Sequence, residues 1–367
     1  MWLKVQAVLP SRWVRVGLGV AIAAGMSLVI SGTAAADPGS GGGISSVPVA
    51  FHVVTRNHSG VPCVDTPDGK QAVVRGHLTG PSSELDRNDV DGTLYSHGDG
   101  YGEYFWRYPG DEHYNYVEQM ARRGHVSVTI DRLGYGDSDK PNGNSICFGV
   151  EADVLHQIVG QLRNGSYTGD RSPRFDKVGL VGHSASGLIV EQEAAGFHDI
   201  DALGVLDSGE LNITPLALER AGEQQVRCLA SPKNLVGLLD ARSSSGYAAL
   251  EADAQQFRAD HIHNVDSDIA NDLVKWRTKD ACAGTRNAVQ ALAGNAARNS
   301  LIDVPVLLLA GAQDQLFSNP RPQAATYTHS KKVTVRVVPD AGHAVAFART
   351  APQFQDDMND WLDRTGL

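Results

Sequence analysis

Ten residues constrain this chain more than any others: Val178-Gly179-Leu180-Val181-Gly182-His183-Ser184-Ala185-Ser186-Gly187. Val178 to Val181 reads as a short buried strand, and Leu188, Ile189 and Gln192 open a helical pattern. The chain must therefore turn sharply in between, with Ser184 at the apex. A serine hydroxyl is a weak nucleophile unless it stands exposed beside a base and near backbone N–H donors. A strand-to-helix turn offers exposure and donors together. It also crowds the residues two places away on either side, which must be small. Gly182 and Ser186 fill those places, whereas the usual pattern has glycine at the second; here glycine comes one residue late, at Gly187. An ordinary Gly/Ser turn leaves the same letters, so the rest of the chain has to decide.

The first 36 residues hold Lys4, Arg12 and Arg15, no acid, and an apolar run from Val16 to Ile30. Ala34-Ala35-Ala36 before Asp37 fits a cleavage site, so residues 1–36 read as a secretory signal peptide. An uncleaved anchor is the alternative, but the run is short for a membrane span. Residues 37–48 read as a flexible linker. The formal charge is -10, and loss of the basic leader makes it about -13. So acidic a chain is a poor partner for nucleic acid or an anionic membrane. The four cysteines suggest two disulfides in an exported protein. Of the three pairings, Cys228–Cys282 joins residues of one middle segment and Cys63–Cys147 joins two flanking loops. No spacing of cysteines or histidines calls for a metal, and no cofactor is expected.

Strand patterns fall at Val49–Thr55, Gln71–Leu78, Gly92–Ser96, His125–Ile130, Ala202–Leu206, Val304–Ala310 and Val333–Val338. Between them, Asp111–Arg123 reads as one helix stopped by Gly124. Val150, Val154, Ile158 and Leu162 mark an amphipathic helix, as do Phe354, Met358, Trp361 and Leu362 near the end. Strand patterns vanish over 208–300, where Thr214-Pro215 and Ser231-Pro232 read as helix starts. The organisation predicted is a mostly parallel sheet with helices on both faces, built from 49–207 and 301–367, with a helical lid inserted at 208–300.

In such sheets reactive groups collect at the carboxyl ends of strands. Ser184 needs a base, and the base needs an orienting acid. His343, just past one strand, is the best-placed base. Asp314, past the strand before it, is the best-placed acid, with Asp207 as its rival. Ser96-His97-Gly98-Asp99-Gly100 lacks the Lys-Ser/Thr of a phosphate loop and fits better as a glycine-rich loop that brings a backbone N–H to a substrate oxygen. His97, His183, and Asp131 with Arg132 read as structural, and Cys147 and Phe148 as ordinary loop and packing residues. Tyr101, Tyr104, Phe105 and Trp106 read as core beneath the lid, with a pocket lining as the other possibility.

These pieces together (S-H-G-D-G, D-R-L-G-Y-G-D-S-D-K-P, V-G-H-S-A-S-G, L-L-L-A-G-A-Q-D and D-A-G-H) resemble the α/β-hydrolases over most of the mature length. The chain order Ser…Asp…His is also that of the family. The resemblance implies Ser184 as nucleophile, His343 as base and then acid, and Asp314 as its orienter. It further implies an oxyanion hole from the N–H of Ala185 and of Gly98 or Asp99. The expected activity is hydrolysis of a carboxylic ester in a small-molecule substrate by an exported protein without a stable membrane partner. Amidase, thioesterase, lactonase and carbon–carbon bond hydrolase chemistry use the same three residues, and a non-catalytic binding protein on this scaffold is the remaining alternative.

Overall fold

The computed structural model describes residues 43–231 and 245–367. The expected signal peptide, residues 37–42 of the expected linker, and Pro232 of the Ser231-Pro232 pair lie outside those residues. No described helix is long and apolar enough to cross a membrane.

The main sheet has nine strands: β1 Ile44–Val54, β2 Gln71–Pro81, β3 Asp89–Ser96, β4 Ser127–Ile130, β5 Thr168–Gly169, β6 Arg174–His183, β7 Ala202–Leu206, and two later ones, β10 Val306–Gly311 and β11 Val333–Val338. Their spatial order is β11-β10-β7-β6-β3-β4-β2-β1-β5. From β4 to β11 neighbours are parallel; β2 runs antiparallel to both β1 and β4. The central strands are buried on both faces. Val178, Leu180 and Val181 of β6 and Val306 to Ala310 of β10 are inaccessible to solvent, as the uninterrupted apolar runs require. β1 lies near the sheet edge and alternates instead, burying Val49, Phe51 and Val53.

Helices cover the sheet. Among the described residues of the core they are α1 Ser82–Leu85, α2 Tyr116–Arg122, α3 Phe148–Asn164, α4 Ala185–Phe197 and, at the end of the chain, α10 Ala351–Thr365. Each apolar set read from the sequence is the buried face: Val150, Val154, Ile158 and Leu162 on α3, and Phe354, Met358, Trp361 and Leu362 on α10. The expected helix 111–123 is divided. Glu112–Tyr114 makes a single 3₁₀ turn, and Asn115 interrupts before α2 starts. Two side chains compete as caps: Asp111 accepts from His113 N and Asn115 from Glu118 N. β1 also begins earlier than expected, within the supposed linker. Ile44 to Pro48 pair in register with Pro81 to His77, and Ser45 and Ser46 hydrogen-bond the hydroxyls of Ser82 and Thr79.

Between β7 and β10 come α5 Pro215–Ala230, β8 Tyr247–Ala248, α6 Ala254–His261, α7 Ser267–Trp276, β9 Asp280–Ala281, α8 Cys282–Arg286 and α9 Ala288–Arg298. Thr214 caps α5 through its hydroxyl. The segment is helical as expected, except that β8 and β9 form a two-residue ladder with no period to announce it. It packs into one compact unit with the sheet, Gly42–Leu367. Cys63 and Cys147 are bonded, as are Cys228 and Cys282, each with Cα atoms 5.9 Å apart. The second bridge closes a 54-residue separation across the lid. Replacing both Cys228 and Cys282 by Ser should cost about 4 kcal/mol by chain entropy, read as a lower urea midpoint under non-reducing conditions; an unchanged midpoint would contradict the pairing.

Candidate active site

Ser184 follows β6 and precedes α4 with φ 56° and ψ −125°. A left-handed backbone at a non-glycine residue costs on the order of 1–3 kcal/mol, so the surroundings must hold it. Ser184 N donates to Leu206 O on β7 (2.9 Å), and Gly187 N donates to Ser184 O (2.8 Å). A Cβ on Gly182 would lie 2.2 Å from Ser186 O, so no larger residue fits there. Ser186, which departs from the usual glycine, is fully buried and has work of its own. Its Oγ donates to His97 O (2.6 Å) and so accepts a hydrogen bond from the Ser96 hydroxyl (2.8 Å). The departure ties the elbow to the loop after β3.

That loop lies against the elbow. A Cβ on Gly98 would sit 2.7 Å from Ser184 Cβ and 2.8 Å from His183 Nδ1. Among the described residues the N–H groups of Gly98, Asp99 and Ala185 have no acceptor. His97 fixes the loop: Nε2 accepts from Arg132 N (3.1 Å) and Nδ1 donates to Gly98 O (2.8 Å). Burial, and then the nearby Arg132 charge, push its pKa down to about 3. Arg132 does not pair with Asp131. It donates to both Glu151 oxygens (2.6 Å each) and to Asp99 Oδ1 (2.9 Å), while Asp131 accepts from the backbone of Glu103 and Asp137. All are structural, with the partners redistributed. Phe148 packs in the core and Cys147 is the residue that caps α3.

On the other side, His343 Nδ1 hydrogen-bonds Asp314 Oδ2 at 2.9 Å, with both side chains shut from solvent. Asp314 Oδ1 accepts from Leu316 N (2.8 Å). His343 Nε2 is buried and makes no hydrogen bond to any described residue, Ser184 Oγ included. His183, adjacent to Ser184, donates from Nε2 to His343 O (2.9 Å), and its ring stacks on Phe105. The elbow and the His343 loop are thus joined one residue away from each reactive side chain. His183 is held well below its ordinary pKa by burial and then by His343.

Asp207, the rival acid, bonds to neither histidine. Its Oδ1 accepts from Gly311 N (2.7 Å), and its backbone φ is 46°. Potential ligand atoms of Asp207, Asp314 and His343 lie within 4.8 Å of one another. Burial, and then the Asp314 charge, push the Asp207 carboxyl well above the usual range. The same burial and neighbouring charge favour the neutral form of the Asp207 carboxyl.

The lid reaches this site through residues the sequence did not single out. Asp280 accepts from Gly100 N (2.7 Å), and Thr278 bonds Gly100 O and Tyr101 O. Tyr101 OH meets His261 Nδ1 (2.9 Å), whose Nε2 meets buried Glu251 (2.7 Å). Tyr101, Phe105 and Trp106 are inaccessible to solvent and form core under the lid; Phe257 and His261 pack on Tyr101, and Trp276 packs on partly buried Tyr104. None of these lid contacts has a local signature. A cleft of about 980 Å³ bordered by Tyr108, Arg258, Asp266 and Arg349 touches none of Ser184, Asp314 or His343.

Residues 94–354 match the alpha/beta hydrolase family. The chain belongs to that family and is a hydrolase. Solved structures agree with the fold. A thermophilic esterase from Thermogutta terrifontis is 16% identical, with a TM-score of 0.54, over 83% of this chain and 97% of that one. Est1E from Butyrivibrio proteoclasticus, solved with ferulic acid, is 15% identical with a TM-score of 0.51 over 83% and 98%. A Paleococcus ferrophilus monoacylglycerol lipase is 15% identical with a TM-score of 0.53 over 74% and 94%. At such identities the likeness is one of fold. No curated protein matches the sequence.

The low pKa of His97 has a measurable consequence. Unfolded, a histidine titrates near 6.5; folded, His97 takes up no proton until about 3. Its contribution is complete above the unfolded value and is lost as pH falls between the two, by up to about 1.4 kcal/mol per pH unit. Between pH 6.5 and 5, unfolding free energy should fall more steeply in the native protein than in His97→Gln. Equal slopes would contradict the buried, neutral assignment.

Proposed function

We propose that the protein is a serine esterase in which Ser184, His343 and Asp314 act as a catalytic triad. The observation that carries this reading is His343: Nδ1 is bound by buried Asp314, and the opposite nitrogen is left bare beside the turn that presents Ser184. An Nδ1–H held by a carboxylate leaves Nε2 as the basic atom. His343 Nε2 takes the Ser184 proton as the hydroxyl attacks the ester carbonyl. The oxygen's charge falls to the N–H of Ala185 and of Gly98 or Asp99, each without another acceptor. His343 then protonates the leaving alcohol, and water reverses the steps to release the acid. Neighbours named as an esterase and a monoacylglycerol lipase support ester substrates over amides, thioesters, lactones or carbon–carbon bonds. We also propose that the protein is exported, on the leader sequence and two disulfides.

A second reading, action on lipid esters at a surface, draws on α5. Charged side chains of the lid are spent on one another, Arg220 bonding Asp260 and Glu223. Meanwhile Leu218, Val226 and Leu229 are 48%, 65% and 46% exposed. A p-nitrophenyl ester series of rising acyl length separates the two. The esterase reading expects the highest kcat/KM on short chains in monomeric solution; a jump in rate above the critical micelle concentration favours the surface reading. In either case Ser184→Ala should lower kcat by at least about 10⁴-fold with the fold intact. Undiminished hydrolysis in that variant would end the proposal.

A further inference from the structure

At the far end of α4 lies a second cluster that the hydrolase reading does not use. His156 stands on α3, Glu193 on the last turns of α4, and Asp199 just beyond α4. His198 closes that helix with φ 55° and turns the chain back, which sets Asp199 beside the other two. One potential ligand atom from each of the three lies within 4.8 Å of the others. Nine residues of helix separate Ser184 from Glu193, about 14 Å along the axis.

Glu193 is the anomaly. Its side chain is wholly buried, and among the described residues neither carboxylate oxygen has a nitrogen or hydroxyl donor; the group it faces is the Asp199 carboxyl. Asp199 Oδ1 is also buried without one. A buried carboxylate lacking partners costs several kcal/mol, so such groups are paired, protonated or bound to a metal. Arg163 acts on Glu193 only through its charge and makes no hydrogen bond to it. Arg163 spends its guanidinium on Asp199 O, Asp176 O and Asp201 Oδ2. His156 Nδ1 faces Asp199 Oδ2 at 2.6 Å, and its ring is fixed by stacking on Phe197, 4.0 Å between centroids.

We propose that His156, Glu193 and Asp199 form a zinc site that clamps α3 to the end of α4. One imidazole and two carboxylates are a zinc donor set, whereas calcium and magnesium ask for six or more oxygens. Two carboxylate charges balance one dication. Tetrahedral bonds of 2.0–2.2 Å put ligand atoms roughly 3.3–3.6 Å apart, so small side-chain rotations close the cluster. His156 and Asp199 are 34% and 23% exposed, which leaves the outer side open to a water as fourth ligand. The site is remote from Ser184, and its role is structural: it anchors the helix whose other end carries the elbow.

The test uses the full protein, stripped with a chelator and dialysed, titrated with zinc chloride alone. The expected result is one zinc per chain by calorimetry, with a rise of a few degrees in Tm that calcium does not reproduce. His156→Gln should abolish both. Glu193→Gln keeps a neutral group of the same shape, so its zinc-free Tm should stay close to that of the native protein while the zinc-induced rise disappears. It carries the test if His156→Gln fails to fold. The proposal is overturned if the native protein binds no stoichiometric zinc, if calcium gives the same shift, or if zinc still raises the Tm of Glu193→Gln. The last result would place the metal elsewhere and leave Glu193 as a protonated partner of Asp199.

Discussion

One residue with a left-handed backbone sets the terms for the rest. Ser184 sits at φ 56° because β6 must turn into α4 within a single residue. The turn closes only where neighbours have no Cβ to spare: Gly182 under Ser186 O, and Gly98 against Ser184 itself. The energy stored in this turn is offset by the surrounding sheet, through Leu206 O on β7 and the serine pair between Ser186 and Ser96. Strain of this kind persists only where the surroundings over-determine it, and the ties to β7 and to the end of β3 do so here.

The second constraint is electrostatic. Asp207 and Asp314 end neighbouring strands, and both are cut off from water. Two carboxylates at such a distance cannot both ionise in a dry interior. Burial and the Asp314 charge push the Asp207 carboxyl well above the usual range, and it is Asp314 whose oxygen meets His343 Nδ1. The choice between the two acids, open on sequence grounds, follows from which one reaches the imidazole. His97 and Arg132 act similarly on the other side: a neutral ring and a buried bidentate ion pair with Glu151 fix the loop beside Ser184.

Much of this was legible in the chain itself. Val178 to Val181 and Val306 to Ala310 announced central strands because two-sided burial demands unbroken apolar runs. Four-residue spacing gave α3 and α10. The strand-end rule brought Ser184, Asp314 and His343 to one edge. What stayed hidden depends on partners far along the chain. Asn115 split a helix that periodicity alone joined. Arg132 bonds Glu151 and Asp99 rather than its neighbour Asp131. Asp280, His261 and Glu251 reach the site from a lid whose helices carry no motif. Ser186 looked like a tolerated exception and is instead a tie between two loops, because its hydroxyl finds His97 O only in three dimensions.

The central claim is that the turn at residue 184 presents an activated hydroxyl to a base on the next loop. An active-site fluorophosphonate tests it most directly. The account predicts a single adduct, mapped by peptide mass spectrometry to Ser184, that forms rapidly in the native protein and is lost in His343→Ala. No adduct on the folded protein, or one on another serine that is indifferent to His343, would contradict it.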